Sequence, residues 1–439
     1  MAAMSHFILG AGVTGLAAGM ATGFEVLEAT ERPGGICSSY YVRPGSPERL
    51  ASRSAMSDAY RFEIGGGHWI FGGDPTVLHL LESLAPQRRY RRRSAIYFGR
   101  NGSSVPYPLQ NHLRHLEPRV ALEALVEMTQ PGTTTPARTL KSWLATRFGG
   151  TLCDLFFFPF HERYTASLYD RIAPQDEYKS PTGLSAVIRG ALADTEDAGY
   201  NVTFRYPMEG LDVLATRMSS RCQVRYGCAV QAIRLTAREL VLHDGRVLPY
   251  RTLLSTLPLN RILELTGLGV PSPPDPHTSV LVLNIGALRG PRCPQDHWVY
   301  VPDSASGFHR VGFYSNVDAA FLPAPASGSK ARVAIYVEKA FEAGSRPDAV
   351  AVRAYSAEVI RELQAWGFVE EVEVVDPTWI DVAYTWRWPE SGWVGQASVA
   401  LAEQGIHTVG RYGRWVFQGI ADSVRDGLLV GAALSQVSA

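Results

Sequence analysis

The stretch Phe7 to Gly35, FILGAGVTGLAAGMATGFEVLEATERPGG, constrains this chain more than any other. His6 to Leu9 is a short apolar run suited to a buried parallel strand. Gly10, Gly12 and Gly15 come next as G-x-G-x-x-G, with Thr14 inside the turn. The first glycine permits a tight turn and the second lets backbone approach a pyrophosphate. The third lets the next helix pack on the strand. That helix presents free N–H groups and a partial positive charge to phosphate. Phe24 to Leu27 reads as a second strand, and Glu28 at its end can accept hydrogen bonds from ribose hydroxyls. The order of strand, glycines, helix, strand and acid predicts a dinucleotide-binding α/β unit.

The spacing is short. Glu28 lies 18 positions after Gly10, against ~20 in most such units. Only Val13 to Thr22 remains for the helix, roughly 15 Å at 1.5 Å per residue, with Gly23 suited to its C′ position. A helix this short covers less of the sheet, so another element is expected to pack there.

The residues just after Glu28 distinguish the nucleotide. Glu28-Ala-Thr-Glu-Arg32-Pro-Gly34-Gly35-x-x-Ser38 carries a second glycine pair close behind the acid. This resembles the FAD-binding chains of the flavin amine oxidase and UDP-galactopyranose mutase group. Phe62-Glu-Ile-Gly65-Gly66-Gly67-His68 resembles that group's flavin-contacting segment, where glycines let backbone approach the ring. Val224 to Val230 with Leu253 to Pro258 resembles the returning FAD-domain strands. Gly419-Ile-Ala-Asp422-Ser423-Val424-Arg-Asp-Gly427 resembles the closing helix, whose N-terminus meets the flavin. The resemblance implies FAD, held by Gly10, Gly12, Thr14, Gly15, Glu28, Arg32, Gly34, Gly35, Ser38, Gly66, Gly67, Val230, Arg411, Gly419, Asp422, Ser423 and Val424.

Flavin signals at both ends and in the middle predict an α/β fold: an FAD-binding Rossmann-like domain with an inserted helical domain and an antiparallel β-sheet domain. The expected FAD-binding parts are 1–113, 201–270 and 396–439. The helical insertion is 114–200, where Val120 to Met128 and Leu140 to Phe148 carry apolar residues at spacings of three and four. Thr129 to Pro136 is a turn-rich break between them. The sheet domain is 271–395, with β-rich runs at Ser279 to Ile285, Trp298 to Val301 and Arg332 to Glu338. Pro347 to Trp366 reads as a helix, and Ala324 to Ser329 as a loop.

With 439 residues, 46% of them hydrophobic, the chain can bury a core for two or three domains. Lys+Arg and Asp+Glu both number 42, so no basic excess points to nucleic acid. The run Arg88-Arg89-Tyr90-Arg91-Arg92-Arg93 is read as a solvated strand face or loop. Five scattered cysteines without C-x-x-C spacing suit a reducing cytoplasm and give no metal site. No apolar run approaches the ~20 residues of a membrane span, and the first residues lack a basic n-region.

Four further stretches resemble the eukaryotic type of UDP-galactopyranose mutase. Val105-Pro-Tyr107-Pro-Leu-Gln110-Asn111 is similar to that family's nucleotide-contacting VPYPFQNN. Pro159-Phe-His161-Glu-Arg-Tyr-Thr165 with Tyr169-Asp-Arg171-Ile-Ala173 resembles PYNFKVW…GERVA. Trp298-Val-Tyr300-Val-Pro302 and Phe308-His-Arg310 resemble W-x-Y-F-P…F-Y-R. Gly410-Arg411-Tyr-Gly-Arg-Trp415 resembles GRYG-x-W. The match in order and spacing runs from about residue 6 to 430.

This resemblance implies a nucleotide-sugar pyranose/furanose mutase. In it, N5 of reduced FAD acts as covalent nucleophile on the anomeric carbon, with no net redox change. Arg171 and Arg310 would hold the departing diphosphate, because guanidinium forks bind phosphate bidentately. Tyr107 and Tyr300 would add hydroxyl contacts, Gln110 would lie near the base, and His68 would sit beside the flavin. His161 and Tyr384 are expected at the substrate. The chain departs from the family pattern at Phe417 and Ala421, where a Tyr and an Asn are usual, and at His161 and Thr165, where an Asn and a Trp stand. Lost phenol and amide donors imply a drier pocket and a substrate that need not be UDP-galactose, with a deoxysugar nucleotide or another nucleotide-sugar as candidates. An oxidase or dehydrogenase of an amine or secondary metabolite on the same scaffold is the alternative.

Overall fold

The computed structural model describes residues 5–50, 52, 56–130, 136–175, 183–195, 201–324 and 330–438. Ile8, Leu9, Val26 and Leu27 are almost wholly buried, as strands covered on both faces require. They lie in the centre of a seven-stranded sheet. Ser5–Leu9 pairs in parallel with Glu25–Leu27 on one side and Val247–Ser255 on the other. Val224–Arg225 and Ile406–Thr408 extend the parallel part. Val230–Arg234 and Glu239–Leu242 complete it as antiparallel strands.

The first helix is short, as the spacing predicts: Val13–Thr22, stopped by Gly23 at φ 72°, whose N–H donates to the Gly19 carbonyl. The C-terminal helix Ile420–Ser438 provides the missing cover. Gly427 and Gly431 let it close on the first helix. A Cβ at Gly427 would stand 2.2 Å from the Thr14 carbonyl oxygen, and one at Gly431 3.0 Å from that of Ala18. Two small residues four apart lie on one helix face, so the backbones can meet there.

A second seven-stranded sheet runs in the order Val369–Thr385, His277–Arg289, Arg332–Glu342, Arg310–Phe313, Trp298–Tyr300, Ser94–Phe98, Ser103–Pro106. It differs from the expected sheet domain in two respects. Ser94–Pro106 belongs to this sheet by pairing, although it precedes residue 271. Trp298–Tyr300 pairs with Ser94–Phe98 in parallel, so the sheet is antiparallel except at that step. Parallel pairing is possible because some two hundred intervening residues form the crossover. The helix Ala349–Ala365 packs on this sheet through Tyr355, Val359 and Leu363.

The insertion is helical. Pro118–Thr129 and Leu140–Leu152 are followed by a π-helical turn, Cys153–Phe157, and the helix Phe158–Tyr164. Phe148 stacks on Phe157, and Phe156 on Phe160. Most of the break expected at Thr129–Pro136 and of the loop at Ala324–Ser329 lies outside the described residues. Ile70–Phe71, Thr203–Pro207 and Gln87–Arg91 form a small antiparallel sheet. No helix among the described residues is long and apolar enough to cross a membrane.

Candidate active site

A cavity of about 1100 Å³ is lined by the segments that follow the strands of the first large sheet and by strand residues of the second, beyond the ~300–1,000 Å³ of most small-ligand sites. Its first wall is the glycine turn. A Cβ on Gly12 would meet nothing within 4 Å, so the backbone there faces open cavity. Gly34, at φ +109°, and Gly35, at +56°, hold conformations that favour glycine. Gly12 bridges to Gly34, whose N–H donates to the Ala11 carbonyl at 2.8 Å. The second glycine pair is thus stitched to the first. Glu28 is 7% exposed; its carboxylate accepts from the Ala11 and Thr30 amides at 2.7 and 2.9 Å. A carboxylate has about four lone-pair sites; with the Thr30 hydroxyl also donating at 2.8 Å, one is left for a ribose hydroxyl. This cradle fits an ADP-containing dinucleotide.

The cavity is also lined by Gly10, Thr14, Gly67, Arg411, Gly419, Asp422 and Ser423. Gly15, Arg32, Ser38, Gly66, Val230 and Val424 do not reach its wall. Gly15 is structural: a Cβ would lie 1.9 Å from the Gly10 carbonyl oxygen. Arg32 is exposed, and Ser38 accepts from the Ile64 amide. Val230 begins a ladder with Leu242, and Val424 is fully buried. Gly66 packs against the other lobe, where a Cβ would meet Glu338 Oε1 at 2.7 Å.

Of the residues expected at the substrate, His68, Tyr107, Tyr300, Arg310, Tyr384 and Phe417 line the same cavity. They arrive from separate stretches of the chain. Tyr107 and Tyr300 pack ring to ring at 4.8 Å. Arg310 is opposite Glu338 across the ladder. Its guanidinium holds that carboxylate through two nitrogens, Nε to Oε2 at 3.0 Å, and Tyr384 stands 3.5 Å away. Burial would raise the Glu338 pKa, but Arg310 and His309 outweigh it and hold the carboxyl at about 2.

His68 Nδ1 lies 3.2 Å from the Gly66 carbonyl. A carbonyl only accepts, so Nδ1 carries the hydrogen and Nε2 is left as an acceptor. Burial pushes His68 down to about 4 against the Gly66 bond, with the charges of Arg411 and Arg310 adding to it. It is neutral at physiological pH.

Gln110, His161 and Arg171 stand outside the cavity lining. Gln110 is 1% exposed, within the turn Leu109–Asn111. His161 Nδ1 is bonded to the Phe157 carbonyl at 2.7 Å. The Arg171 side chain is 58% exposed, 3.9 Å from Asp170. The motif resemblance carried sequence position; local backbone phase points these side chains elsewhere.

The structure adds Arg92, read in the sequence as part of a solvated run. It lines the cavity, with Nη2 donating to the Tyr107 carbonyl at 3.2 Å and the guanidinium 5.5 Å from the Tyr107 ring. The available signal was its period of two from Tyr90, which packs inward on Phe204. Trp298 also lines the cavity. Arg411 rests 4.5 Å over Phe417 and donates to the Gln418 and Ala383 carbonyls.

A glycine cradle at the strand ends of a largely parallel sheet, opening into a cavity walled by a second sheet, fits a dinucleotide-binding protein with a large chamber beside its cofactor site. The family model for flavin containing amine oxidoreductase matches residues 11–280, and the chain belongs to that family. Its cofactor is FAD. No curated protein matches it significantly in sequence. Among solved structures it is similar to a reduced UDP-galactopyranose mutase at 20% identity and TM-score 0.84, covering 99% of this chain and 96% of that one. It is also similar to a proposed protoporphyrinogen oxidase from Exiguobacterium, at 16% identity and TM-score 0.70 over 100% of both chains. A putrescine oxidase bound to putrescine matches at 16% identity and TM-score 0.57, over 98% of each chain. At these identities the likeness is one of fold.

Proposed function

We propose that this flavoenzyme is a nucleotide-sugar pyranose/furanose mutase acting on a substrate other than UDP-galactose. The observation that carries this reading is the charge around His68. Two cations, Arg411 and Arg310, bear on it against one anion, Glu338, and Arg92 adds a third cation to the lining. Glu28, Glu264, Asp381 and Asp422 balance the arginines over the lining as a whole, but beside His68 the local excess of positive charge suits a diphosphate and opposes a cationic amine.

Bound and reduced, FAD supplies a nucleophilic nitrogen for the anomeric carbon. The chain's own residues bind and orient. Arg310, locked on Glu338, offers its remaining N–H donors to phosphate oxygens, and Arg92 and the Tyr107 and Tyr300 hydroxyls supplement it. Neutral His68 offers Nε2 as acceptor to a sugar hydroxyl. Phe417 in place of a phenol removes a donor and suits a deoxygenated sugar. In this division of labour, residues 1–113, 201–270 and 396–439 hold the cofactor, apart from Ser94–Pro106, which joins 271–395 in walling the substrate.

The second reading is an oxidase or dehydrogenase of an amine or secondary metabolite. Two observations favour it: Arg171 is exposed outside the cavity, and the Arg310 charge is already matched by Glu338. The deciding experiment takes purified holoprotein, oxidised or reduced with dithionite, and a panel of nucleotide-sugars. Furanose isomer formed only by reduced enzyme supports the mutase. Turnover by oxidised enzyme with peroxide release, and no isomerisation, establishes the oxidase instead.

A further inference from the structure

The outer face of the small sheet carries charge that the catalytic cavity does not use. Arg89 and Arg205 are directly opposite each other on antiparallel strands. Like charges at that position destabilise a ladder unless something between them compensates. Both line a recess of about 470 Å³ together with His79, Glu82, Gln87, Pro75 and Leu78. Glu82 does not neutralise the pair. Its Oε2 stands 3.6 Å from Arg205, while its Oε1 accepts the Gln87 amide N–H at 3.1 Å. Arg89 has no partner among the described residues. Gln87 contributes a second, independent sign: its side-chain Nε2 and Oε1 are both shielded from solvent and unbonded. An amide in that condition leaves hydrogen-bonding capacity unmet, which native structures rarely tolerate without a ligand or water.

We propose that this recess is a binding site for a phosphate group, separate from the catalytic cavity. Directly opposed positions hold their Cβ atoms ~4.5–5.5 Å apart, a span that lets two guanidinium forks close on one tetrahedral oxyanion. The Gln87 side-chain amide and His79 line the same recess and add neutral donors. A phosphate has enough oxygens to engage both forks and the amide together; a carboxylate has two. Arg89 and Arg205 share a face with Ile70, while Tyr90, Phe204 and Phe71 occupy the opposite one. Phe71 lines the catalytic cavity, so the two sites lie on opposite sides of one sheet.

The test is calorimetric titration of holoprotein with inorganic phosphate and with ribose 5-phosphate, ionic strength being balanced with chloride. Arg89→Gln and Arg310→Gln are titrated in parallel. Arg89→Gln is expected to weaken phosphate binding by about 10-fold or more, the size of one lost charge-assisted hydrogen bond. Its flavin spectrum and ligand-free Tm should be unchanged, since Arg89 is exposed and unpaired among the described residues. Arg310→Gln, which alters only the catalytic cavity, should leave the share of binding that Arg89→Gln removes intact. Tighter binding of the ester identifies a phosphomonoester as occupant, and equal binding identifies free phosphate. Absence of binding to the parent protein, equal binding to Arg89→Gln, or loss only in Arg310→Gln would overturn the site.

Discussion

Arg310 and Glu338 occupy paired positions on neighbouring strands, and the guanidinium grips the carboxylate through two nitrogens at a site where Glu338 is 2% exposed. Glu338 also abuts Gly66, the second glycine of the Gly65-Gly66-Gly67 segment. One ion pair therefore fixes an arginine of the cavity wall and the approach of the Gly65-Gly66-Gly67 backbone.

Breaking that pair from one side leaves a buried charge unpaired. Arg310→Ala should lose about 3–5 kcal/mol of stability. Arg310→Ala with Glu338→Ala should recover part of it, because no lone carboxylate remains. Chemical denaturation of the three proteins checks this; a double variant no more stable than the single one contradicts it.

Arg171 offers the opposite case. Its ion pair with Asp170 is long and exposed, so Arg171→Ala should change stability by no more than about 0.5 kcal/mol. A mutase that draws Arg171 onto the diphosphate loses turnover at unchanged Tm. Unchanged turnover removes the residue from the mechanism.

The second and third glycines of the turn should separate by phenotype. Gly12→Ala has room for its methyl and should fold, yet retain little FAD, because the methyl stands where backbone must approach pyrophosphate. Gly15→Ala drives a methyl into the Gly10 carbonyl and should fail to accumulate as soluble protein. Flavin absorbance per mole of protein, with a melting curve for each, distinguishes the two outcomes.

Closure of the C-terminal helix rests on Gly427. Gly427→Ala should destabilise by about 1–3 kcal/mol through overpacking, with the Thr14 carbonyl as the obstacle. The first helix should loosen with it, raising the FAD dissociation rate in a fluorescence assay.

His297, 1% exposed, has its pKa pushed down to about 3, first by burial and then by the Arg93 charge. The unfolded chain then binds more protons than the folded one between pH ~6.5 and 3, so stability falls as pH drops through that window. Tm measured against pH should decline on the acid side, and His297→Asn should flatten the slope. Buried Glu63 works in the other direction: burial raises it to about 7, so its contribution is lost as pH rises from ~4.5 through 7. Glu63→Gln should reduce that decline between pH ~4.5 and 7.

Local chemistry made much of the cofactor half legible. Gly23 stops the first helix where a left-handed cap was expected, and Gly12, Gly34 and Glu28 meet as their order implied. The substrate half was legible only where a residue's neighbours fix its direction. Tyr107, Tyr300 and Arg310 lie on or beside strands whose pairing aims them at the cavity. Arg171 sits on a surface turn and His161 on a helix face bonded back to Phe157, where sequence spacing carries no information about direction.

By itself, then, the sequence determined the α/β class, the FAD cradle and the short first helix, because each depends on glycine conformations and strand periods within a few dozen residues. Only the tertiary structure decided which arginines line the cavity, that Ser94–Pro106 joins the second sheet, and that Gly427 and Gly431 let the last helix cover the short one. Those outcomes depend on contacts between segments hundreds of residues apart, whose pairing and facing no local pattern encodes.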